Sequence, residues 1–449
     1  MTIQTETLKN GMNIVVVPDH RAPVVTHSVW YRIGSVDEPA GLTGISHMLE
    51  HLMFKGTKNF GPGVMDKLVQ KNGGIQNAFT SRDMTAYHQT IAKEKLPLMM
   101  EIEADRVNNL DFPEELFTPE KQVVSEERKL RTESQPMPRF FERMLRAHFP
   151  THPYGQPVIG WRTDLDAYTR EKALDWYSRN YAANNATLIV VGDMTLEELK
   201  PLADKYYAPL PTENHITPRV THVEPLRQEE TRYIAVDKDV QVPVYYHIYR
   251  APSSFVGIAG ALTSREDVAA LHVLAEVLGG GDTARLYQSL VMEKDLADSA
   301  SADYDSIAVT EGTFDIYVSP KEGVTLDKIE AAAEETIAHL IKNGLTEKEL
   351  KRAIVGLKAS EIYAQDDADG LMYRIGSWLM AGGTAETYTQ WLDDLDHVTT
   401  EQVQAAAKKY LIPAGSTTGI IVGDKKQLGT LQPTTPAVVQ NLIAEGLTP

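Results

Sequence analysis

Residues 168–193, YTREKALDWYSRNYAANNATLIVVGD, and residues 398–424, VTTEQVQAAAKKYLIPAGSTTGIIVGD, decide the fold. Each reads as a Thr-started amphipathic helix, an aromatic or apolar stop, a polar turn and a strand ending in Val-Gly-Asp, and they lie about half a chain apart. Working outward, APVVTHSVWYRIGS (22–35) has a weaker echo in VPVYYHIYRAPSS (242–254), an apolar run suited to a buried strand. The chain is therefore expected to be a duplication. Its boundary falls in the proline-bearing stretch APLPTENHITPRVTHVEPL (208–226), which defines domains 1–215 and 216–449. Within each half the helices come in blocks and do not alternate strictly with strands. That order predicts an α+β fold, with each half a mostly antiparallel sheet carrying helices on one face. Segments 266–278, 325–343 and 345–362 have the three-and-four apolar spacing of helices.

Composition bounds the function. Asp+Glu 62 against Lys+Arg 44 gives a net charge of −18, which disfavours nucleic acid and anionic membrane surfaces as partners. Apolar runs such as Ile14 to Val17 and Leu188 to Val191 are strand-sized, far short of the ~20 residues of a membrane span. The first sixteen residues lack the pattern of a signal peptide, so the expected location is cytoplasmic, or periplasmic if a signal has been removed. With no cysteine in 449 residues, disulfides and thiolate ligands are excluded, and a metal would be held by His, Asp or Glu.

The sharpest chemical signal is GLTGISHMLEHLMFKGT (41–57). On a helix, His47 and His51 stand one turn apart on one face, where two imidazoles can converge on one cation. Glu50 flanks that face and can reach a metal-bound water without displacing a ligand; H-x-x-E-H is the inverted zincin order. An exposed polar face would satisfy the same spacing. However, Leu42, Ile45, Met48, Leu49, Leu52, Met53 and Phe54 surround it, and a buried helix leaves ionisable groups in need of a partner that a cation would supply. The third ligand is expected on residues 118–135, read as a helix with Thr118 as N-cap and Pro119 in its first turn. There Phe117, Glu120, Val124, Glu127 and Leu130 form an inward stripe, while Glu126 is turned by about 100° from it. Glu127 is chosen as ligand, and Glu120 joins Glu50 in the catalytic set as a neighbouring group behind the ligands.

These residues resemble the zinc signature of the pitrilysin and mitochondrial-processing-peptidase family, also called insulinase-like or inverzincin endopeptidases. HMLEH (47–51) is followed by Glu120 and Glu127 in E-x6-E; GGIQNAFTSRDMTAYH (73–88), HPYGQPVIG (152–160) and GGGDTARLYQSL (279–290) resemble further family motifs, so the likeness spans both halves. It implies one Zn2+ per chain on His47, His51 and Glu127, Glu50 as general base, and peptide hydrolysis in a chamber closed by two more halves from a second chain. Asn77, Ala78, Phe79 and Thr80 would form the edge strand that pairs with substrate main chain. Active members also use an Arg and a Tyr in the second half. Here Val291 and Asp298 stand at those positions. The resemblance is thus to the metal-bearing, beta-type subunit of a two-subunit member. It implies a heterodimer with a homologous subunit carrying the Arg/Tyr pair, a homodimer being the other arrangement. A non-catalytic structural subunit of an assembly is the competing reading. HVLAEVL (272–278) occupies the place of HMLEH in the second half and has no second His.

Overall fold

The computed structural model describes residues 1–213 and 215–434; the last fifteen positions of domain 216–449 lie outside the described residues. The first half supplies six strands: β1 (Gln4–Thr7), β2 (Asn13–Pro18), β3 (Val24–Tyr31), β4 (Ile75–Thr80), β5 (Thr85–Ala92) and β6 (Ala186–Gly192). They form a sheet of order β1-β2-β6-β3-β5-β4. The second half supplies β7 (Thr231–Val236), β8 (Val244–Ala251), β9 (Ala297–Asp305), β10 (Gly312–Pro320) and β11 (Thr417–Val422), in the order β7-β11-β8-β10-β9. Strand for strand, β2-β6-β3-β5-β4 matches β7-β11-β8-β10-β9. In both sheets only the β2–β6 or β7–β11 pair is parallel. The duplicated segments 168–193 and 398–424 end in β6 and β11, interior strands buried throughout. Their preceding helices, Arg170–Asn180 and Thr400–Tyr410, begin under Thr169 and Thr399, whose hydroxyls accept from the backbone N–H three residues on.

The described residues group into two compact units. One comprises 1–129, 156–220 and 364–388; the other comprises 130–155, 221–363 and the residues from 389 on. The first-half helices are α1 (Ile45–Leu52), α2 (Val64–Lys71), α3 (Leu96–Asn109), α4 (Glu114–Arg128) and α5 (Pro136–His148). In the first unit, α1 and α3 join the core through Met48, Leu49, Leu52, Met99 and Ile102 beneath Val25, Val29 and Tyr31 of β3. Burial of such side chains stabilises by about 1.5–3 kcal/mol each. The other face of this sheet receives helix Ala368–Ala381 from the second half of the sequence. Gly376 lies so close to Trp30 that a Cβ there would overlap the indole, and Asp369 accepts from Thr26 and Thr90 at 2.9 and 3.0 Å. In the second unit α5, from the first half of the sequence, places Phe140 and Met144 against Tyr233, Val244, Ile248 and Ile421. The structure thus adds to the expected one-sided arrangement a single helix on the second face of each sheet.

Two local expectations are corrected. Helix α4 begins at Glu114 after Pro113, one turn earlier than Thr118, and Pro119 lies inside it. Thr118 is no cap, because its hydroxyl donates to Glu114 Oε1 within the turn (2.8 Å), while Phe117 is already anchored in the core beside Phe112. Leu130 is 65% exposed and leaves the inward stripe. A π-helical stretch, Lys129–Glu133, follows α4, and its wider turn rotates side chains off the α-helical register.

Two quoted motifs prove to be structural ties. At HPYG, the backbone N–H groups of Thr151 and His152 donate to the buried Glu224 carboxylate (3.0 and 2.8 Å). In GGGDTARLYQSL, Arg285 makes a two-pronged bond to Glu349 (2.7 and 3.0 Å), which also accepts from the Thr346 N–H at the head of helix Glu347–Ala364. The Arg285 guanidinium holds the Glu349 carboxyl down at about 2. A depressed carboxylate contributes stability that is complete above the ordinary Glu range near pH ~4.3 and is lost as pH falls through the folded value. Glu349→Gln is therefore expected to lower stability at neutral pH by about 1 kcal/mol after allowance for solvent screening of a partly exposed pair. In urea melts, the gap from wild type should close toward pH ~2. A gap undiminished in acid would trace the effect to packing.

Candidate metal centre

Helix α1 is set by its N-terminal approach. Gly44 and Gly160 both have positive φ (86° and 84°), and a Cβ on either would run into the backbone of the other's segment. The end of HPYGQPVIG is therefore what the zinc-signature helix starts against. The Thr43 hydroxyl accepts from Trp161 N–H and donates to Asp164, and Tyr168 donates to the Thr43 carbonyl. Buried Glu38 caps the helix, accepting from the Gly44 and Ser46 N–H groups at 2.6 and 2.8 Å. Burial pushes its carboxyl up, against the pull of those N–H groups, to about 8.

With Ile45, Ser46, Met48, Leu49 and Leu52 of α1 buried, His47, Glu50 and His51 emerge half-buried, the histidines toward α4 and Glu50 toward Thr80 of β4. Glu127 Oε2 lies 3.2 Å from His51 Nε2 and 3.9 Å from His47 Nε2. One donor atom from each of His47, His51 and Glu127 lies within 4.8 Å of the others, and this is the single such group found among the described residues. Donors on tetrahedral zinc with bonds near ~2.0–2.2 Å stand roughly 3.3–3.6 Å apart, so this nitrogen and oxygen set fits the ion with small adjustments. Glu126, by contrast, is 66% exposed and pairs with Lys129.

Glu120 sits behind this group. Its Oε1 is 2.9 Å from His51 Nδ1 and its Oε2 is 2.5 Å from Lys55 Nζ. A carboxylate on Nδ1 fixes the ring and leaves Nε2 to face Glu127 and an ion, the usual support of a metal-bound imidazole. Burial alone would lower the His51 pKa, but the Glu120 hydrogen bond and the charges of Glu127, Glu50 and Glu120 outweigh it and raise it. Burial would likewise raise Glu120, and its bonds to His51 and Lys55 bring it below the usual carboxylate range. This electron-rich pocket favours a positive guest, whether a proton or a cation.

Glu50 stands beside this set without belonging to it, its Oε2 accepting from the Thr80 hydroxyl at 2.6 Å. Asn77, Ala78, Phe79 and Thr80 all lie on β4, the edge strand of the first sheet. Thr80 reaches Glu50, whereas Phe79 packs on the opposite face against Trp30 and Tyr373, with both ring centroids 5.2 Å away. Lys55 and Glu38 were not singled out in the sequence. Lys55 could have been, since it stands four residues after His51; Glu38 lies in the loop before the helix and gives no periodic signal. In the second half, His272 hydrogen-bonds Ser306 at 3.0 Å, and burial lowers it to about 4, a neutral imidazole. Val291 is half-buried on the π-helical stretch Tyr287–Glu293, and Asp298 is exposed on edge strand β9.

Residues 13–161 match the family model described as insulinase (peptidase family M16), and residues 167–357 match the one described as peptidase M16 inactive domain. The chain belongs to the M16, or insulinase, peptidase family. It is 30% identical over 373 residues to the zinc protease PqqE of Helicobacter pylori, covering 82% of each chain. It is also 25% identical to the mitochondrial-processing peptidase subunit beta of Neurospora crassa, over 90% of each. Among solved structures, a protease from Helicobacter pylori superposes with a TM-score of 0.85 at 27% identity, covering 94% of this chain and 99% of that one. The first half of the periplasmic protease PqqL from Escherichia coli superposes at 0.80 and 20% identity, covering 100% and 97%. No helix among the described residues is long and apolar enough to cross a membrane.

Proposed function

We propose that this chain is a zinc-dependent endopeptidase subunit of the M16 type, with His47, His51 and Glu127 as the ligands of one Zn2+ and Glu50 as the general base. The observation behind this reading is the convergence of three donor atoms with a further carboxylate, Glu50, alongside but outside the set. Zinc, when bound, supplies Lewis-acid polarisation of a peptide carbonyl and acidifies water. Glu50 then takes the proton of the attacking water and delivers it to the leaving amine. Glu120 orients His51. The backbone of Asn77 to Thr80 receives an extended peptide by β-augmentation, which tolerates many sequences because main-chain groups provide much of the affinity.

The oxyanion half of the site is assigned to a partner. Neither valine nor ionised aspartate donates a hydrogen bond, so Val291 and Asp298 cannot do the work of the Arg and Tyr used by active relatives of this type. Loss of such a donor costs roughly 3–4 kcal/mol of transition-state stabilisation. In this reading 1–215 and 216–449 are the two copies of the duplicated domain, and a homologous subunit with Arg and Tyr completes a closed peptide chamber. The isolated chain is expected to bind zinc yet cleave a quenched peptide poorly at any concentration. Activity should appear on adding the related subunit and saturate near one to one. Light scattering and turnover measured together test this; an isolated homodimer as active as the mixture refutes the division of labour. Val291 and Asp298 also favour a second reading, a structural subunit without catalysis, which a chain inactive in every mixture would support. The compartment is proposed as cytoplasm, or periplasm after removal of a signal.

A further inference from the structure

The Thr80–Glu50 contact links two parts of the site that the proposed function keeps separate: the strand that receives the peptide and the carboxylate that moves the proton. Thr80 is the last residue of β4, paired across the sheet with Thr85, so its backbone is held at the end of the ladder. Side chains alternate along a strand. Phe79 is therefore committed to the Trp30 and Tyr373 side, and Thr80 turns its hydroxyl to α1. At 2.6 Å this is a short hydrogen bond from the hydroxyl to the carboxyl oxygen. Glu50 projects from a helix whose neighbouring residues are fixed in the core, but its own side chain has three rotatable bonds. A hydroxyl donor on one of its oxygens favours one rotamer and one carboxylate plane over the others.

We infer that Thr80 is a positioning residue for the general base: its hydroxyl holds the Glu50 carboxylate in the orientation that accepts the water's proton, coupling order in the substrate-binding strand to orientation of the base. This rests on the reading of Glu50 as base. A peptide pairing with β4 adds a neighbour to an exposed edge and stiffens it, and Thr80 transmits that stiffening to Glu50. Productive proton transfer is then favoured when the strand is occupied.

The test uses zinc-loaded full chain, with the completing subunit where turnover requires it. Thr80→Val keeps shape and strand preference while removing the donor, and Thr80→Ser restores the hydroxyl. Thr80→Val should retain zinc and a wild-type KM but lose kcat by ~10-fold or more, and Thr80→Ser should return it to within about threefold. A KM rise with kcat unchanged would make Thr80 a strand-packing residue and overturn the inference. Independently of turnover, crystal structures of the zinc-loaded wild type and Thr80→Val should show one Glu50 rotamer in the first and a displaced or split carboxylate in the second. An unmoved Glu50 in the variant overturns the proposal even if the chain cleaves nothing alone. A fully active Glu50→Gln would instead refute the base assignment itself, which separates the two failures.

Discussion

Glu50→Gln is expected to keep its zinc and its fold and to lose peptide hydrolysis by at least ~10²-fold, the usual cost of removing a general base. The metal should stay because Glu50 lies beside the donor triad of His47, His51 and Glu127 and is not one of its members. The fold should stay because the amide is isosteric and its oxygen can still accept from the Thr80 hydroxyl, which donates to the native carboxylate at 2.6 Å. What the amide cannot do is take up a proton from water near neutral pH. Metal analysis and cleavage of a quenched peptide on the same sample, assembled with whatever subunit turnover requires, decide the matter. Undiminished activity in a metal-replete variant removes Glu50 from the mechanism.

Glu127→Gln should produce the opposite pattern, with metal lost first and activity as a consequence. Glu127 Oε2 is the atom nearest both imidazole nitrogens, 3.2 Å from His51 and 3.9 Å from His47, so the variant replaces the only anionic donor of the three. A neutral amide oxygen is a much weaker zinc ligand than a carboxylate. The expected loss exceeds the ~10–100-fold that follows removal of a supporting group such as Glu120, and so should amount to ~100-fold or more in affinity. Glu126→Gln, one residue away on the solvent side of α4, should leave metal affinity unchanged, because its carboxylate pairs with Lys129 at 3.7 Å and stands away from the site. Competition with a chromophoric zinc chelator measures both. Equal losses in the two variants would mean that the helix register relative to the metal is wrong.

The sequence by itself determined more of this protein than its modest apolar periodicity suggests. The paired strands ending in Val-Gly-Asp at 193 and 424 are β6 and β11, interior strands of two sheets with one shared topology, because a fully buried strand must be an apolar run and a duplication repeats it in register. That Glu127 and not Glu126 faces His47 and His51 was legible for a similar reason: 3.6 residues per turn leaves little freedom about which of two adjacent carboxylates faces inward. The start of α4 was less legible. Thr118 and Pro119 look like a helix start in isolation, yet burial of Phe117 extends the helix back to Glu114, so a tertiary contact outweighs a capping preference.

Other features were decided only by the folded chain. Periodicity says that a helix buries one face, but not what covers it. Hence nothing in residues 136–148 or 368–381 shows that each helix lies on a sheet built from the other half of the sequence. Lys55 on Glu120, Glu38 at the head of α1 and Thr80 on Glu50 are meetings of side chains from turns, loops and an edge strand, whose directions are set by the three-dimensional path of the backbone. The convergence of His47, His51 and Glu127 could be read because one helix spacing brings the two histidines together and another turns Glu127 inward. The contacts around them, Lys55 on Glu120, Glu38 at the head of α1 and Thr80 on Glu50, could not, because no local period connects those groups.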